Sequence, residues 1–139
     1  MTDFSSMPAR LARAWSTADS DAFGSLFAET AAYTDLGYAT SLRGRSEITA
    51  WHRNVRTAIP DFAAEIEDCF TTVDGKACLC ATWTGTRTGD LYGLPGTGGR
   101  FTISAASVFA MTPEGLITTC VDYYSLPDFE RQTGHRPIP

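Results

Sequence analysis

The spacing of apolar residues changes period near Pro60, and that change constrains the fold more than anything else in the chain. Before it, Leu11 and Trp15 stand four apart, and Phe23, Leu26 and Phe27 follow at helical spacing behind the capping cluster Asp19-Ser20-Asp21. The segment AAYTDLGYATSLRG then suits a short strand, a turn and a return. Helical spacing resumes with Ile48, Trp51, His52 and Val55 on one side of a segment that Ser46 is placed to cap and Pro60 stops near Ile59. Beyond Pro60 the period is two. Phe62, Ala64, Ile66 and Phe70 are expected on one face, Asp74-Gly75 marks a hairpin, and strands follow over Lys76–Thr86, 100–111 and Leu116–Tyr124. Residues 89–99 hold five glycines and a proline in eleven positions, so they read as a loop acting as a lid or rim. LPDFERQTG suits a short closing helix.

Helices first and consecutive antiparallel strands afterwards describe an α+β fold, with N-terminal helices packed on one face of a curved, mostly antiparallel sheet. Such a cone leaves an apolar pocket, and function is expected there. At 139 residues the chain is read as a single domain, 1–139. Sixteen acidic against eleven basic side chains give a net charge of −5, the wrong sign for nucleic acid or an anionic membrane surface. No apolar run approaches the roughly 20 residues of a membrane span, and the N-terminus does not resemble a secretory signal, so a cytoplasmic location is expected. Cys69, Cys78, Cys80 and Cys120 lack metal-ribbon spacing and read as reduced core thiols. The two histidines, His52 and His135, are far apart, so no metal site is expected.

Asp122 lies within CVDYY, inside an apolar strand, where a carboxylate must face water, find partners or shift its pKa. Facing outward is its plain alternative; facing inward, beside Cys120 and Tyr124, it is a candidate acid/base. Asp35, in YTDLGY, is the second candidate, with turn capping as its alternative. Ser107 interrupts the apolar row Phe101, Ile103, Ala105, Phe109 and is placed to donate into the pocket or to backbone. His52 shares its helix face with Trp51 and is either a substrate contact titrating near neutrality or a satisfied core histidine. Trp15, Trp51, Trp83, Tyr33, Tyr92 and Tyr124 would wall a cavity for a flat ligand or serve as core. Neither a phosphate-binding glycine motif nor a nucleophile elbow is present, which leaves nucleotide binding and covalent hydrolysis without support.

The segment LFAETAAYTDLGYATSLRGRSEITAWH resembles the nuclear transport factor 2-like superfamily, which includes the ketosteroid isomerases. WTGTRTGDLYGLPGTGGRF followed by EGLITTCVDYYSLPDFERQTG resembles the second half of its SnoaL-like polyketide cyclases. The resemblance implies the superfamily's cone-shaped fold, and it places Asp122 at the general acid/base aspartate and Asp35 at the isomerases' proton-shuttling aspartate. Three positions depart: Val121 replaces the usual tryptophan, Ser107 an isomerase aspartic acid, and Leu11 stands near their oxyanion tyrosine. These point away from steroid isomerisation. The resemblance thus implies a cofactor-independent cyclase or isomerase acting on a small hydrophobic, polyketide-like carbonyl substrate. Asp122 would remove an acidic C–H proton, with Ser107, His52, Tyr33 or a water as enolate donors. An epoxide hydrolase, which in relatives uses an Asp-Arg-Asp set, and a non-catalytic binding protein are the alternatives. A homodimer is expected, as in many relatives.

Overall fold

The computed structural model describes residues 4–134; His135 lies outside them. The elements run α1 (Met7–Trp15), α2 (Ser20–Gly24), β1 (Phe27–Asp35), β2 (Thr40–Arg43), α3 (Arg45–Ala58), β3 (Ala63–Thr71), β4 (Lys76–Arg87), β5 (Gly99–Met111), β6 (Ile117–Tyr124) and α4 (Leu126–Thr133). The six strands make one curved, unclosed sheet in the order β2-β1-β6-β5-β4-β3. Every neighbouring pair is antiparallel except β1 and β6, which run parallel and place Asp35 beside Asp122. This is the α+β arrangement the change of period predicts.

Each layer follows from its sequence pattern. Helix α1 buries Met7, Leu11, Ala12 and Trp15 as one stripe, and α3 buries Ile48, Trp51, His52, Val55 and Ala58 as another. Strand β4 alternates without a break, so Ala77, Leu79, Ala81, Trp83, Gly85 and Arg87 all point inward. Strand β5 does the same with Phe101, Ile103, Ala105, Ser107 and Phe109. Asp19 caps α2 by accepting from Ala22 N, and Ser125 caps α4 by accepting from Asp128 N.

Four expectations are corrected. Phe27 opens β1 instead of closing a helix, because its backbone and that of the residues after it enter the ladder with β6. The cap of α3 is Gly44, at φ +88°, where a side chain is disfavoured, and Ser46 lies inside the helix. Phe70 does not share a face with Ala64 and Ile66. A bulge between Ile66 and Asp68 shifts the register, so Ile66 pairs with inward Ala81 while Phe70 pairs with outward Cys78 and is 58% exposed. The cysteines are all free, but only Cys120 is buried. Cys78 and Cys80 lie half-buried on the outer face of β4, and Cys69 is exposed.

Candidate functional site

Between α1, α3 and the inner face of the sheet lies a cavity of about 40 Å³. Trp15, Trp51, Trp83, Phe62 and Phe101 form its apolar walls; Tyr38, Leu91, Tyr92, Tyr124 and Phe129 close one side. The polar side chains in this wall besides the tyrosines are two carboxylates, Asp35 and Asp122.

Asp122 sits mid-strand on β6, 1% exposed, with its side chain turned inward. Tyr33 on one neighbouring strand donates to Oδ2 at 2.5 Å, and Ser107, its register partner on the other, donates to Oδ1 at 2.6 Å. Burial pushes the carboxyl pKa up to about 7, against the lowering effect of the Ser107 and Tyr33 hydrogen bonds; the Asp35 charge adds to the rise. A carboxylate has about four acceptor directions, so two donors leave room for a proton from a ligand. Burial, then the Asp122 charge, holds the Tyr33 and Cys120 protons well above their ordinary pKa values.

Asp35 ends β1, 5% exposed, and is reached by the Tyr92 hydroxyl at 2.6 Å and by Tyr38 N at 3.3 Å. The Trp51 indole donates to Tyr92 at 3.1 Å, which makes a chain Trp51→Tyr92→Asp35. Tyr92 holds φ +54°, an unfavourable conformation for a residue with a Cβ, in the loop where its hydroxyl meets Asp35. Burial and the Asp35 charge push the Tyr92 and Tyr124 hydroxyls upward. Gly37 makes room for Tyr124: a Cβ there would stand 2.3 Å from the tyrosine ring.

His52 does not meet the cavity. Its Nδ1 pairs with Ser20 Oγ at 2.7 Å and its Nε2 with the Ala14 carbonyl at 3.0 Å, and Phe23 stacks on its ring at 4.3 Å between centroids. Burial pulls its pKa down to about 4, so it does not titrate near neutrality. The expectation of a substrate contact is corrected to that of a satisfied core histidine. Tyr33 and Ser107 stand behind Asp122 rather than in the cavity wall, and Leu11 is buried in the core. Trp15, Trp51, Trp83, Tyr92, Tyr124, Asp35 and Asp122 are brought together.

Two residues escaped the sequence reading. Tyr38 lines the cavity from the turn after β1. Arg87 is fully buried against three lining residues, Tyr38, Leu91 and Phe129. Its signal was the alternation of β4, which continues one residue beyond Thr86 and puts an arginine in an apolar row. The loop after it is a pinned rim: Thr97 N and Gly98 N donate to the Arg87 carbonyl, and Leu91 bridges to Leu94. Among the described residues no group of three or more His, Cys, Asp or Glu side chains gathers as a metal site, and no helix is long and apolar enough to cross a membrane.

The sequence model of the SnoaL-like polyketide cyclases matches residues 6–133. A search of curated proteins gives no match. Solved structures with the same fold include a ketosteroid isomerase-like protein from Catenulispora acidiphila in complex with trimethylamine, 25% identical, with TM-score 0.81 and 94% of this chain against 95% of that one covered. TsrD from Streptomyces laurentii is 21% identical, TM-score 0.82, covering 96% and 98%. IdmH, a candidate polyketide cyclase from Streptomyces antibioticus, is 20% identical, TM-score 0.78, covering 96% and 99%.

Proposed function

The chain belongs to the SnoaL-like polyketide cyclase family, and from that premise we propose a cofactor-independent cyclase or isomerase in which Asp122 is the acid/base. One observation carries the reading: a buried carboxylate, poised by burial to a pKa of about 7 and steadied by two hydroxyl donors, lines an aromatic cavity. Asp122 takes a proton from a carbon alpha to a carbonyl. In a cyclase the enolate attacks a second carbonyl of the same substrate and Asp122 gives its proton to the new alkoxide; in an isomerase Asp122 returns the proton to another carbon of the conjugated enolate. Positioned proton transfer supplies about 10²–10⁴-fold, and holding both reacting carbons of one folded substrate at attack distance contributes up to roughly 7–11 kcal/mol.

Tyr33 and Ser107 already donate to Asp122, so they are not the enolate donors. The Trp15 indole nitrogen is buried without an acceptor, in a residue of the cavity wall, and takes that part in this reading. Asp35 holds Tyr92 in place and, through its charge, helps keep Asp122 protonatable. A cavity of about 40 Å³ holds a few atoms, whereas drug-sized ligands occupy roughly 300–1,000 Å³. In this reading the hydrogen bonds that pin the rim at Arg87 and Ala58 give way to admit a polycyclic substrate, and residues 88–98 and Phe129 swing aside.

The test is deuterium uptake at the alpha carbon of 2-tetralone in D₂O, followed by NMR. The protein is expected to accelerate exchange, and Asp122→Asn to lose about 100-fold or more of that acceleration with its circular dichroism unchanged. Equal exchange by the two proteins would remove Asp122 from the mechanism. We expect two copies to pair through the outer face of the sheet, where Val108 and Tyr123 are 45% and 48% exposed and pair with Val121 and Ala106. A monomeric mass at micromolar concentration would contradict it.

A further inference from the structure

Strand β4 ends on Arg87, whose side chain continues the inward row of Ala81, Trp83 and Gly85 and is wholly buried. A guanidinium carries five N–H donors and no acceptor. Nη2 donates to the carbonyls of Leu91 at 2.9 Å and Leu94 at 3.3 Å, while Nε and Nη1 meet no acceptor. No carboxylate lies within ion-pair distance of the charge: the ion pairs among the described residues are Arg53–Asp21 and Arg131–Asp128, and Glu130 and Asp35 reach the neighbouring Tyr38 through their charges alone. Burying an unpaired charge is expensive, and two bonds to loop carbonyls, which a neutral donor also makes, do not offset it. The groups around the guanidinium belong to the cavity wall. The Phe129 ring centre is 5.8 Å from Cζ, and the charge acts on Tyr38, whose buried hydroxyl has no partner within hydrogen-bonding geometry.

We infer that Arg87, with the Tyr38 hydroxyl, is an anion subsite that receives a carboxylate carried by an aromatic or polycyclic ligand. The inference rests on the reading of the cavity as the ligand site and not on the chemistry at Asp122. It also gives the loop a part. Swinging residues 88–98 aside takes the Leu91 and Leu94 carbonyls away from Nη2, and a ligand carboxylate then replaces them with a charge-assisted, fork-shaped contact.

The experiment compares binding of 2-naphthoate and its methyl ester by calorimetric titration. The wild type is expected to bind the acid about tenfold or more tighter than the ester, the size of a charge-assisted hydrogen bond. Arg87→Gln removes that preference by weakening the acid alone, and Arg87→Lys keeps part of it. A wild type that binds neither probe, or binds acid and ester alike, overturns the subsite. So does an Arg87→Gln protein in which both ligands weaken equally, the mark of an arginine that only latches the loop. Should Arg87→Gln lose its native circular dichroism, the drop or persistence of acid preference in Arg87→Lys decides the matter. Equal tetralone exchange by the wild type and Asp122→Asn, with the acid preference of the wild type intact, would end the reading of Asp122 and spare this one.

Discussion

His52 on α3 and Asp122 on β6 are both buried titratable residues within apolar patterns, and burial drives both toward their neutral forms, down to about 4 and up to about 7. Their surroundings differ. Ser20 and the Ala14 carbonyl occupy both nitrogens of His52, and aromatic rings enclose it. The donors to Asp122 reach it from neighbouring strands and leave its remaining lone pairs toward the cavity. A displaced pKa therefore does not mark a functional residue by itself; access of a ligand to an unfilled hydrogen-bonding direction does.

The largest contrast is in turnover. Asp122→Asn is expected to lose about 100-fold or more of tetralone exchange, while His52→Gln keeps the wild-type rate. A His52→Gln protein that folds but loses exchange to the same extent would erase the distinction between the two regions.

Next comes the pH dependence of stability, where the two residues pull in opposite directions. The folded pKa of Asp122 is raised, so its contribution is fully present below the ordinary aspartate value near 4 and is lost as pH climbs through about 7. Three pH units correspond to up to roughly 4 kcal/mol. The folded pKa of His52 is lowered, so its contribution is intact above about 6.5 and is lost as pH falls toward 4, by up to roughly 3 kcal/mol. The two slopes oppose each other between pH 4 and 6.5. Urea denaturation across this window should show Asp122→Asn gaining stability relative to wild type as pH rises, and His52→Gln gaining as pH falls. Parallel curves for the three proteins would mean that neither group titrates as its burial dictates. At pH 7.5, His52→Ala should cost about 2–4 kcal/mol, because it leaves a void and strips Ser20 and the Ala14 carbonyl of their partner.

The sequence shows one of these regions more clearly than the other. The alternation of CVDYY and of the Ser107 row is enough to turn Asp122 and Ser107 inward, because a strand has only two faces. Helical spacing likewise puts His52 on the buried side of α3, but its partners lie 32 and 38 residues earlier in the chain, on α2 and α1. Whether it touches the cavity depends on how three helices pack, which their periodicity does not encode. Phe70 falls on the face opposite to the one its spacing predicts for a related reason. One extra residue in β3 turns every later side chain over, and nothing in AAEIEDCFT marks the bulge. Arg87 is legible in the same alternation, which runs one residue past Thr86 and puts the one charge in the inward row of β4.

The smallest expected effect tests how Asp122 is poised. Ser107 donates to Oδ1 and favours the ionised form, so Ser107→Ala leaves the carboxylate less stabilised while burial still opposes its charge. A hydrogen bond to a charged group is worth about 1.5–3 kcal/mol, and partial compensation by Tyr33, which still donates to Oδ2, brings the expected rise to about one pH unit. A base acts only when ionised. The wild-type exchange rate should therefore climb with pH through a midpoint near 7, and that of Ser107→Ala through one near 8, with both meeting on the plateau above pH 9. At pH 7 the variant should be several-fold slower, and at pH 9 nearly equal. A uniform loss across the whole range would instead make the Ser107 hydroxyl a participant at the reacting atoms, and the two donors to Asp122 would then have different parts to play.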